Sequence, residues 1–110
     1  MMMTDRQAMS DLRYISSGCA RMRVLDFGDD DDAVRERMAL YVEWDDAIWQ
    51  LPKIVESYER GALSDATIIR LHEVAQEVTA LLPEIARINY RMPDAEALAR
   101  ARRAAVARTA

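Results

Sequence analysis

Residues 34–58, VRERMALYVEWDDAIWQLPKIVESY, constrain this chain more than any other stretch. On a helix at roughly 100° per residue, Leu40, Trp44, Ala47, Ile48, Leu51, Ile54, Val55 and Tyr58 share one sector. Val34, Met38, Tyr41, Val42 and Trp49 extend it to an apolar arc of about 240°. Arg35, Glu43, Asp46, Gln50, Lys53 and Ser57 hold what remains of the circumference. A helix with so wide an apolar surface needs cover on several sides. That requirement points to an all-α fold.

With 110 residues the chain is expected to form a single helical domain spanning 1–110, small enough for self-association to supply part of its stability. Neither a membrane-length apolar run nor a secretory signal is read in it, so a cytoplasmic protein without membrane association is expected. The one cysteine, Cys19, cannot form an internal disulfide or a multi-cysteine zinc site, and is read as a small buried hydrophobe. The first 25 residues carry four arginines against two acids, residues 26–93 carry seven bases against fifteen acids, and residues 94–110 carry four arginines against two acids. An acidic middle thus lies between mildly basic ends.

A first amphipathic helix is expected from Ser10 as N-cap to near Phe27, on the spacing of Leu12, Ile15, Cys19 and Met22, with Gly28 closing it in a left-handed conformation. Gly18 and the Ser16-Ser17 pair weaken its middle. Asp29, Asp30, Asp31 and Asp32 invite a calcium reading, but they lack the spacing and glycine of a calcium loop. They read as a helix cap and as acids at the positive end of the helix dipole. Pro52 kinks the long helix or starts a new segment, and Gly61 ends it. Ser64 then caps a further helix, with Leu63 and Ile68 placed as a hydrophobic staple.

That helix carries Ile68, Leu71, Val74, Ala75, Val78, Leu81, Leu82, Ile85, Ile88 and Met92 on one face, Pro83 bending it and Asn89 falling mid-stripe. The short link at 61–64 folds the two long helices into an antiparallel hairpin, with Trp44 level with Leu81, Trp49 with Gln76 and Pro52 with Glu73. The terminal segment 94–110 reads as a loosely docked, peripheral helix or a tail, having only Leu98 and Val106 as large apolar anchors. The first helix packs across the hairpin, and a homodimer completes the bundle.

No phosphate loop, Cys-x-x-Cys, His-Glu-x-x-His or nucleophile elbow is present, and neither a cofactor nor a metal nor a set of catalytic residues is expected. His72, the only histidine, reads as interfacial or solvent-facing. Glu73 and Glu77, one turn apart, read as a solvated face. The arginines of the C-terminal segment lack interleaved aromatics, so nucleic acid is disfavoured as a partner.

Asp45 stands out, because its phase lies between Tyr41 and Trp49 inside the apolar arc. A carboxylate there needs a partner. Either an arginine such as Arg21 or Arg100 pairs with it, or Tyr41, Asp45 and Trp49 form an open recognition patch of hot-spot composition. The resulting expectation is a non-enzymatic protein-interaction module, adaptor or inhibitor in type, with an unidentified protein partner. The alternatives are a ligand-binding or enzymatic bundle using Arg and Glu at a dimer interface, for which Arg37 and Arg70 have the nearest phases, and a nucleic-acid mimic or DNA-associated protein.

Overall fold

The computed structural model describes residues 3–107, which form six helices and no strand: α1 (Asp5–Arg23), α2 (Asp31–Ile48), α3 (Leu51–Glu59), α4 (Asp65–Ala80), α5 (Leu82–Arg87) and α6 (Ala95–Arg102). The all-helical expectation holds. None of these helices is long and apolar enough to cross a membrane.

α1 starts five residues earlier than Ser10. Thr4 caps it in a capping box: the Gln7 backbone N–H donates to the Thr4 hydroxyl at 3.1 Å, and the Thr4 N–H donates to Gln7 Oε1 at 3.0 Å. Ala8 extends the apolar stripe of Leu12, Ile15, Cys19 and Met22 by one turn and is fully buried. The helix also ends earlier, at Arg23, leaving Phe27 in an irregular segment, and Gly28 does not take a positive φ. Arg37 holds that segment, donating to the carbonyls of Asp26 and Gly28 at 2.7 and 2.9 Å.

The acidic run behaves as a cap. Asp30 accepts from the Ala33 N–H at 2.7 Å, with Asp31 and Asp32 in the first turn of α2. Trp49 and Gln50 separate α2 from α3, and Pro52 occupies the first turn of α3, where its missing N–H is harmless. Gly61 takes φ +74 at the turn that follows, a conformation costly for a side chain bearing a Cβ. Ser64 caps α4, accepting from the Thr67 N–H, and Leu63 and Ile68 are both buried.

Around Pro83 the helix is interrupted rather than merely bent: α4 stops at Ala80, and α5 begins after the single residue Leu81. The apolar face resumes at Ile85, fully buried, but the helix does not reach Met92. It ends at Arg87, and Asn89, expected on the stripe, is an exposed turn residue with φ 62. Asparagine tolerates that conformation better than most residues. Beyond it, residues 90–94 run alongside α2 without regular structure. The Tyr90 hydroxyl donates to the Arg37 carbonyl at 2.7 Å, and the Trp44 indole N–H donates to the Arg91 carbonyl at 2.8 Å.

α1 packs extensively on both α2 and α4, while α6 packs on α4 and α3. Gly18 permits the close approach of α1 to α2: a Cβ built there would lie 2.8 Å from the Trp44 ring. Arg21 reinforces the pair through Glu36, at 2.9 Å, and Glu43. Asp5 ties the start of α1 to α4, accepting from the Ser64 N–H at 2.7 Å, a bond that holds its carboxyl below the ordinary value. α6 docks through Ala97, Leu98 and Ala101, and Tyr58 bonds Ala105 through both its carbonyl and its N–H. Residues 108–110 of the expected terminal segment lie outside the described residues.

Cys19 is fully buried and, as expected, unpaired. Burial, reinforced by the Glu77 carboxylate, pushes its thiol up to about 12. Since the thiolate is the nucleophile, the native protein at pH 8 should react with an aromatic disulfide reagent about a thousandfold more slowly than the unfolded chain. Comparable rates in buffer and in denaturant would contradict this packing of Cys19.

Candidate protein-interaction surface

One face of α2 remains open. Ala33, Leu40, Trp44, Ala47 and Ile48 point into the protein, which turns Val34, Met38, Tyr41, Val42, Asp45 and Trp49 outward along a single stripe. Met38 is 66% exposed, Val42 and Trp49 58% each, and Tyr41 50%. From Val34 to Trp49 the stripe is roughly 22 Å long at 1.5 Å per residue.

All three residues expected in the recognition patch, Tyr41, Asp45 and Trp49, lie on this stripe. Asp45 is both paired and in the open patch, so the two readings of it coexist. Its partner, however, is Arg91, whose Nε bonds the Asp45 carboxylate. The arginines expected in that role are engaged elsewhere: Arg21 with Glu36 and Glu43, and Arg100 with Glu59 at 3.3 Å and with Glu96. On a helix continuing through Met92, phase alone would turn Arg91 toward solvent, away from α2. The break at Asn89 redirects it across α2.

Neighbouring groups hold the patch in place. The Arg91 guanidinium lies 5.2 Å from the Trp49 ring centroid, combining cation–π attraction with the Asp45 bond. Tyr41 meets Tyr90 edge to face at a centroid separation of 5.6 Å, and Tyr90 is fixed through Arg37. Beside Trp49 opens a notch of about 440 Å³ lined by Ile48, Pro52, Lys53, Arg91, Met92 and Asp94. The side chains of Asp45 and Arg91 are each about two-fifths exposed, 41% and 43%, so the bond orients Trp49 more than it stabilises the fold. No family model, curated protein or solved structure matches this chain.

Other candidate groups assemble differently. Glu77 accepts from Ser16 at 2.8 Å and lies 3.7 Å from Arg70, which also reaches Glu73 and donates to Ser16. The two carboxylates thus share one arginine. Among the described residues no group of three or more His, Cys, Asp and Glu is placed to hold a metal. His72 is half-buried, and its Nδ1 has no hydrogen-bond partner among them. A groove of about 700 Å³ lies between α1 and α3, lined by residues such as Ser10, Asp11, Lys53 and Arg60. Neither Arg37 nor Arg70, the arginines expected in a ligand-binding bundle, lines it. Phe27 lies between Arg37 and Arg87, at 5.9 and 5.0 Å.

Proposed function

We propose that this chain is a non-enzymatic protein-interaction module, adaptor or inhibitor in type, that docks through the open face of α2. One observation carries the reading: Trp49, Tyr41 and Arg91, the three residue types that dominate interface hot spots, meet on one rigid helix face with their orientations already fixed. Ordering before contact reduces the entropy lost on binding. A contiguous exposed apolar stripe is also the surface feature that marks interaction sites. In this reading the open side of α2 is completed by association. The module is cytoplasmic, in keeping with its single unpaired cysteine.

Affinity capture from the native host, followed by mass spectrometry, tests this. Trp49→Ala and Tyr41→Ala should each weaken partner binding by about 2 kcal/mol, with helical content unchanged because both side chains are exposed. A folded variant of either kind that retains the partner at wild-type affinity excludes this face.

A further inference from the structure

The charges flanking the α2 stripe are ordered so that the face complements itself when reversed. At its N-terminal end stand Asp31 and Asp32, then Arg35. At its C-terminal end come Asp46 and then Lys53 and Arg91, both lining the notch beside Trp49. Read in either direction with the sign inverted, the order is the same. Arg35 is open to a partner: it lies only at the 4.0 Å limit of contact with Asp32, and its side chain is 79% exposed. Asp46, at nearly the same helical phase, is exposed as well.

We propose that the occupant of this face is a second copy of the chain, lying antiparallel on α2. The proposal rests on the interaction reading above and names its partner. A half-turn about an axis crossing α2 between Tyr41 and Val42 sets Val34 against Trp49 of the second copy, Met38 against Asp45, and Tyr41 against Val42. The notch of about 440 Å³ then receives Val34 of the other copy. Met38 meets a carboxylate whose charge Arg91 already compensates. On the flank, Arg35 lies within two residues, about 3 Å along the helix, of Asp46 of the second copy, and the acidic first turn of α2 lies opposite Lys53, each pairing occurring twice by symmetry. In a parallel two-fold arrangement this flank faces the opposite flank of the second copy, and the Arg35–Asp46 pairing is lost. The contact is four turns, roughly 22 Å, long, and the expected dimer dissociates in the micromolar range.

Sedimentation of the full chain from about 1 µM to about 1 mM should show a reversible monomer–dimer equilibrium, with Trp49 emission moving to the blue as the dimer fills. Trp49→Ala should raise the dissociation constant about thirtyfold. Arg35→Asp and Asp46→Arg should each raise it about five- to tenfold, while the double exchange restores it to within about threefold. Under mild oxidation Val42→Cys, beside the axis, should cross-link two copies, and Val34→Cys should not. A protein monomeric across the whole range, a double exchange without rescue, or Val34→Cys cross-linking as readily as Val42→Cys overturns the antiparallel dimer. If the chain is monomeric but its capture of a foreign protein depends on Trp49, the dimer falls and the interaction reading stands. If neither property depends on Trp49, both fall.

Discussion

Trp44→Ala should destabilise the protein by about 3–5 kcal/mol, measured as a fall in the denaturant midpoint with unchanged slope. Trp44 is the largest fully buried side chain, and three parts of the chain depend on it. Its ring lies against Gly18 of α1, its own helix forms one wall of the core, and its indole N–H binds the Arg91 carbonyl at 2.8 Å. Truncation opens a cavity and leaves that carbonyl without its donor. Of a domain stability typically about 5–15 kcal/mol, little remains. The variant should also release residues 90–94 from α2, so that Trp49, already exposed, loses the Arg91 guanidinium from over its ring. A variant with near-wild-type stability would mean that α1 and α2 do not meet through this indole.

Gly18→Leu should destabilise by about 3 kcal/mol, and Gly18→Ala by about 1 kcal/mol despite the usual preference of helices for alanine. The sign is the point. By propensity, replacing a mid-helix glycine with alanine gains about 1 kcal/mol. Here the added Cβ lies 2.8 Å from Trp44 Cε3 and 3.2 Å from Cζ3, and the ring is a rigid neighbour held at its far side by Arg91. The overpacking term therefore exceeds the propensity gain. A double-mutant cycle isolates the contact: in a Trp44→Leu background, Gly18→Ala should become stabilising. If Gly18→Ala stabilises the wild-type protein, the close approach of α1 and α2 is wrong.

Local signals in the sequence located most of the helix boundaries. The aspartate cap of α2, Pro52 at the start of α3, Gly61 and the Ser64 cap all act within one turn of the chain, so residue type and spacing suffice to read them. The errors came where two local readings competed. Ser10 stands just before Leu12, the first large apolar residue of the stripe, and so reads as the cap; Ala8, too small to signal burial, carries the stripe one turn further. The stripe through Ile85 and Ile88 suggested unbroken helix, and the φ of 62 at Asn89, which diverts the chain, has no periodic signature.

For the recognition patch the same division holds. The phases of Tyr41, Asp45 and Trp49 follow from helical geometry alone, as does the need of Asp45 for a cation. Which cation answers it does not follow, because fourteen arginines are available in the chain and helical phase says nothing about a residue lying in an irregular segment. Tyr90 is illegible for that reason, and Met92, expected on the buried stripe, instead lines the notch beside Trp49.

The all-helical class, the caps of most helices and an apolar surface on α2 too wide for a single neighbour are all legible in the residues alone. Periodicity and capping are short-range properties, and they are encoded where they act. Which side of α2 is covered is settled by packing between distant parts of the chain. Gly18 admits α1 against Trp44, the turn at Asn89 lays Tyr90 and Arg91 beside α2, and what is left open is the stripe through Met38, Tyr41, Val42 and Trp49. That choice depends on contacts between residues far apart in the chain, where bulk, backbone turn and a single buried hydrogen bond outweigh helical phase.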